Sequence, residues 1–140
     1  MKSLKIYFSA FAFLSLYLLS SCSKDTSGLF PSTRETLVKN TWTVDYYFNS
    51  LNMTNAFNSS KLLFSETGAV AFEKDGEIIP GTWNRMVDAS NNELIGLEFN
   101  TSDPNIAQLN KSWKLTSHTA SSLQFEETGT TTILFRLKTQ

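Results

Sequence analysis

Apolar positions recur along this chain in two rhythms. Ile6 to Leu19 is almost wholly apolar, interrupted only by Ser9 and Ser15. From Trp42 onward, apolar and polar residues alternate in short runs, the period of half-buried strands. In the first run Trp42, Val44, Tyr46 and Phe48 fall on one face, and Thr43, Asp45, Tyr47 and Asn49 on the other. Glu66-Thr67-Gly68 suits a three-residue turn with glycine in the left-handed position. It pairs Leu62 with Phe72 and Phe64 with Val70. Asp75-Gly76 is a two-residue hairpin signal that pairs Lys74 with Glu77 and Phe72 with Ile79. Read independently, the two turns place Leu62, Phe64, Val70, Phe72 and Ile79 on one face. Pro80-Gly81 predicts a bulge or bend, because proline cannot donate to a ladder and glycine cannot fill a core. A turn at Ser90-Asn91-Asn92 pairs Val87 with Ile95 and Trp83 with Phe99, and sets Arg85 opposite Leu97 on the inner face. Three final runs, about Ser112–Thr116, Ser122–Glu127 and Thr131–Lys138, share an apolar face of Trp113, Leu115, Leu123, Phe125, Ile133, Phe135 and Leu137.

Two helical signals interrupt the alternation. Ser32-Thr33-Arg34-Glu35 fits a capping box and predicts a short helix to about Lys39, with Asn40 as a left-handed stop. Asp103-Pro104 reads as an N-cap and first helical residue, turning Ile106 and Leu109 to the body. Asn49–Ser60, which holds Leu51, Met53 and Phe57, and Asn100–Lys111 read as long connections. Eight short strands with little helix predict an all-β fold, an eight-stranded antiparallel up-and-down barrel or a strongly curled sheet. A two-sheet sandwich is the alternative.

The apolar run before residue 20 bears on where the chain works. Met1 to Lys5 carries two positive charges and no acid. The run behind it is shorter than the ~20 residues of a membrane span, and the pair reads as a signal peptide. It closes on Leu19-Ser20-Ser21-Cys22, which contains the sole cysteine. This ending resembles the lipobox of bacterial lipoproteins. The resemblance implies diacylglyceryl transfer to the Cys22 thiol, cleavage before Cys22 and acylation of the new amine by a palmitate-type chain. Two or more chains anchor stably where one is marginal. Ser23, rather than Asp, implies the outer membrane of a Gram-negative envelope, with periplasmic and surface exposure both open. The expected organisation is a lipoprotein signal peptide over 1–21, a tether over 22–31 and a barrel domain over 32–140.

Removing residues 1–21 from 140 leaves 119, enough for one core. Lys2 and Lys5 leave with the leader, so twelve basic residues become ten against thirteen acidic ones, a net charge near −3. That counts against nucleic acid as a partner. No metal or cofactor set is evident: His118 is the one histidine, set between Ser117 and Thr119 near a turn, and there is no second thiol. No nucleophile elbow, phosphate loop or dinucleotide fingerprint occurs. An enzyme is not expected.

Asn40-Thr41-Trp42, Gly81-Thr82-Trp83, Ser112-Trp113-Lys114 and a basic last strand make Leu37 to Lys138 similar to the lipocalin-like lipoprotein domains of bacterial envelopes. The resemblance implies a barrel, sometimes with a small apolar ligand. Asn40 replaces the glycine of the family's Gly-x-Trp. Arg136 is the nearest match to the arginine that covers that tryptophan, although it is opposite in parity to Phe135 and Leu137. Arg85 is the sharpest ligand-binding candidate, since a guanidinium among barrel side chains can pair with a carboxylate in bidentate fashion. Its alternative is a rim position with the head in water. Trp83, Phe99 and Phe57 complete the candidate set.

Two functions stay open. One is a non-catalytic module binding a small apolar molecule at a barrel mouth. The other is a structural or interaction module of the envelope, with a filled barrel, no ligand and a protein partner. In either case the membrane is reached through the lipid anchor. The aromatic inward set leaves little room, so the expected barrel is packed, with at most a shallow pocket at one mouth. Residues 49–60 and 100–111 are expected to form or cover that mouth, with Arg85 near it.

Overall fold

The structure, a computed structural model, describes residues 31–129 and 133–140. The leader, Cys22, the tether as far as residue 30, and Thr131, where the sequence places the start of the final strand, lie outside them. The domain opens with helix α1 (Thr33–Lys39). The Ser32 hydroxyl accepts from the Glu35 N–H, and the Glu35 carboxylate accepts from the Ser32 N–H at 2.9 Å. Asn40 departs from expectation. It is extended, at φ −118°, and ends the helix through its side-chain amide, which donates to the Thr36 carbonyl at 2.9 Å.

The strands are β1 (Thr41–Asn49), β2 (Leu51–Asn52), β3 (Lys61–Phe64), β4 (Ala69–Lys74), β5 (Glu77–Val87), β6 (Glu93–Phe99), β7 (Ser112–His118), β8 (Ser122–Glu127) and β9 (Ile133–Thr139), with a short helix α2 (Pro104–Ala107) between β6 and β7. From β3 to β9 they form an antiparallel meander, and β9 returns to pair with β1. The result is a closed eight-stranded barrel, with β2 a two-residue addition to the end of β1. Closure removes the sheet edges that an open meander would expose.

The two hairpins flanking β4 have the registers their turns predict: Leu62 opposite Phe72, Phe64 opposite Val70, Phe72 opposite Ile79 and Lys74 opposite Glu77. Three other expectations need correction. First, the β1–β9 ladder slips between Val44 and Tyr46, leaving Asp45 as an extra residue. A one-residue bulge exchanges the faces beyond it, so Tyr47 points inward and Tyr46 and Phe48 outward. Second, Pro80 makes no bulge. The Asn100 N–H donates to the Pro80 carbonyl at 3.1 Å, so that side of Pro80 faces the end of β6, where a missing N–H costs little. The strand runs unbroken through Gly81, where a Cβ would lie 2.5 Å from the Glu98 carbonyl oxygen. Third, Val87 pairs with Glu93, Arg85 with Ile95 and Trp83 with Leu97, two residues from the predicted register. The cause is Asp88, whose carboxylate accepts from the N–H groups of Ser90 and Asn92 and from the Asn92 amide, each at 2.8 Å. The turn therefore closes on an Asp88–Asn92 pair, with Asn91 left-handed at φ 63°.

Strand directions give the barrel two distinct ends. α1 and the turns after β3, β5 and β7 lie at one, here the helix end. Segments 50–60 and 100–111 and the Asp75-Gly76 turn lie at the other, the loop end. Inside, among the described residues, ten of the twenty buried apolar side chains are aromatic. Tyr47 is the hub, its ring centroid 5.0 Å from that of Phe57 and 6.2 Å from those of Trp113 and Phe135.

Candidate functional site

The barrel ends are where a ligand would enter, and both are covered. At the helix end Leu37 is fully buried, and the Trp42 indole donates to its carbonyl at 2.9 Å. Arg34 donates to the Glu66 carbonyl and lies 5.6 Å over the Trp83 ring. The Trp83 indole in turn holds the β3–β4 turn through the Ser65 carbonyl, at 2.9 Å. His118 is the last residue of β7, half-buried, with Nε2 at 3.0 Å from the Thr36 hydroxyl. It is thus a tie between barrel and helix.

At the loop end, segment 50–60 folds into β2 and a 3-10 turn (Thr54–Phe57) that inserts Phe57 into the core. It also fills the gap left because β3 reaches only the first two residues of β1. There the Tyr47 N–H donates to the Thr54 hydroxyl, and the Met53 N–H to the Tyr47 carbonyl, both at 2.9 Å. Segment 100–111 carries α2, capped by Asp103 as expected, and buries Ile106 and Leu109. The Trp113 indole donates to the Leu109 carbonyl at 3.0 Å. The side-chain amide of Asn110 accepts from the Phe99 N–H at 2.7 Å and donates to the Phe99 carbonyl at 3.0 Å. It replaces a ladder rung where β7 has left β6. Each tryptophan thus fills the core with its ring and ties down a covering segment with its N–H.

The four candidate residues do not converge. Phe57 belongs to the loop-end plug, and Trp83 and Phe99 are buried on adjacent strands. Arg85 sits near the β5–β6 turn, at the opposite end from the two long segments, with its side chain 43% exposed and its Nε 2.5 Å from Glu93. The expected proximity of Arg85 to a mouth formed by 49–60 and 100–111 is therefore corrected. Arg136 also departs from the pattern that the resemblance implies. It pairs outside the barrel with Asp45, at 2.5 Å, and lies over Tyr46, not Trp42.

Among the described residues, every buried side-chain nitrogen or oxygen has a hydrogen-bond partner, so no polar group inside awaits a ligand. Burial and the Glu127 carboxylate push the Tyr47 phenol up to about 12, which holds the proton on it. Among the described residues no group of three or more His, Cys, Asp or Glu is placed to hold a metal. Hollows of about 490 and 530 Å³ lie on the outer wall, around Asn84, Met86 and Gly96 and around Pro80, Thr82 and Asn100 respectively. Sequence reasoning missed Asn110, Gln108 and Thr54. Their side chains act by completing backbone ladders or bonding across the loop end, and only the Asn-rich composition of the long segments hints at that use.

No protein-family model matches the chain, and neither does any curated protein. The chain is similar to the crystal structure of a DUF4847 family protein from Bacteroides vulgatus ATCC 8482, which covers 75% of this chain and 95% of its own at a TM-score of 0.55 and 16% identity. At that identity the likeness is one of fold.

Proposed function

We propose that the chain is a non-catalytic, lipid-anchored envelope module that works through its outer surface, with a filled barrel and no internal ligand. The observation that carries this reading is the double closure: an aromatic-rich interior covered by α1 at one end and by segments 50–60 and 100–111 at the other. Ligand sites are concave and commonly about 300–1,000 Å³; here two hollows of that size lie on the outer wall, and one of about 580 Å³ lies at the loop end between the Asp75-Gly76 turn and α2, with Lys74, Glu77 and Asp103 in its lining. The Leu-Ser-Ser-Cys ending of a short apolar run supports acylation at Cys22 and an outer-membrane address. Mass spectrometry of the protein extracted from its own envelope tests both halves. The expected mass is that of the chain from Cys22 with its acyl groups and nothing else. A co-purifying small molecule overturns the empty-barrel reading. A Cys22→Ala chain processed and fractionated like the wild type overturns the anchor.

A further inference from the structure

Although the barrel is closed, among the described residues the end of β5 has an unpaired backbone edge. β4 ends opposite Thr82, and the Trp83 N–H reaches back to the Gly68 carbonyl at 2.8 Å. Beyond Trp83 no strand of the described residues flanks β5 on that side, while residues 84–87 remain paired to β6 on the other. Successive residues of a strand direct their N–H and C=O groups to opposite edges. Trp83 points to the β4 side, and Asp88, bonded to the Asn92 carbonyl at 3.0 Å, points to the β6 side. Arg85 and Val87 therefore present their N–H and C=O groups to the open edge, and among the described residues none of the four groups has a hydrogen-bond partner. The side chains there are exposed as well, Met86 by 38% and Val87 by 54%.

An open edge is a template for another strand, and its side chains indicate which. We infer that this edge pairs with the same edge of a second copy of the chain, antiparallel, about a two-fold axis at Met86. Centred there, Arg85 of each copy faces Val87 of the other, and every outward N–H meets an outward C=O in two reciprocal pairs. The overlap fits the space: the Gly68 contact limits it on one side and the turn beginning at Asp88 on the other. On the outer face Met86 neighbours Leu94, which neighbours Lys114. Joining the sheets lays Leu94, Met86, the second copy's Met86 and its Leu94 in one apolar row, ended on both sides by Lys114. On the other face Arg85, neutralised by Glu93, meets Val87 and not its own image, so like charges are not opposed. A foreign peptide would supply the backbone bonds but not this row. Such an isologous contact closes as a dimer and leaves no end for further addition. The inference does not depend on acylation.

Sedimentation velocity of the full chain in detergent, over a dilution series, should show a reversible dimer. Arg85→Pro removes an outward N–H from each copy and leaves the β6 ladder intact, because that ladder runs through Asn84 and Met86. It should raise the dimer dissociation constant at least about tenfold with little change in the melting temperature. Met86→Lys, which places two ammonium groups on the axis without touching the backbone, should do the same. Directly opposed Cβ atoms sit about 4.5–5.5 Å apart, so Met86→Cys should cross-link under oxidation well above the background set by wild-type Cys22. Ile78→Cys, exposed on the same strand but far from the axis, should not. A chain that stays monomeric at its highest soluble concentration, a dimer indifferent to both Arg85→Pro and Met86→Lys, or equal cross-linking from Ile78→Cys overturns the inference.

Discussion

Trp83 illustrates how single residues carry two kinds of interaction here. Its ring packs edge-on against Phe64 with centroids 5.4 Å apart, while its N–H holds the Ser65 carbonyl. Trp83→Ala should cost about 3–5 kcal/mol by cavity formation. Trp83→Phe should cost only about 1–2 kcal/mol, since most of the ring survives and the Ser65 carbonyl keeps a bond from the Gly68 N–H. Urea unfolding midpoints would separate the two, and a loss under about 1 kcal/mol for the alanine variant would show that the ring is not core. Tyr47 gives a pH signature. Its folded pKa, about 12, exceeds the ordinary value of 10.0, so the folded state holds a proton that the unfolded chain releases first. The stabilisation is complete below about pH 10 and is lost as pH rises toward 12, on the order of 2 kcal/mol. Tyr47→Phe should flatten that alkaline fall in thermal stability. The inward place of Tyr47 was not legible in the alternation, because a bulge at Asp45 exchanges the faces without a glycine or proline to announce it.

Among the elements, the β3–β4–β5 hairpins were readable because turn chemistry and apolar parity agree there. The β5–β6 hairpin was only half readable. A two-residue shift preserves parity, so the apolar pattern accepts both registers, and the choice falls to the Asp88 carboxylate. Hydrogen bonds, first that of the Asn92 side chain, hold Asp88 below its usual range. The turn should therefore be fully ordered above the ordinary carboxylate range and loosen as pH falls through that lowered value. The amide resonances of Ser90 and Asn92 would report this, and in Asp88→Ala they should be disordered at neutral pH. The pairing of β5 with β6 makes a second contrast. A Cβ at Gly81 meets the backbone carbonyl of Glu98 at 2.5 Å, whereas at Gly96 it meets the flexible end of the Asn84 side chain. Gly81→Ala should lose about 1–3 kcal/mol and Gly96→Ala clearly less. Equal losses in a denaturant titration would mean that β6 can move away from Gly81.

For the whole molecule, the barrel and its filling could be read from eight alternating runs and their aromatic content. The candidate ligand set could not, because it assumed that Arg85 and the long segments share an end, and strand direction puts them at opposite ends. Long-chain fatty acids should accordingly leave the fluorescence of Trp42, Trp83 and Trp113 unchanged, and saturable quenching would disprove the packed interior. The seam where β9 meets β1 has its own consequence. It bonds Thr43 to Lys138, 95 positions apart, and the Gln140 N–H to the Thr41 carbonyl at 3.1 Å. The last strand of the barrel to be synthesised is therefore the one that closes the cylinder. Until it arrives, both β1 and β8 are bare templates, and loop-closure entropy over nearly the whole domain must be overcome before their pairing is rewarded. A chain that stops short of Ile133 should therefore leave the facing edges of β1 and β8 open to pairing with other strands, rather than form a slightly shorter barrel.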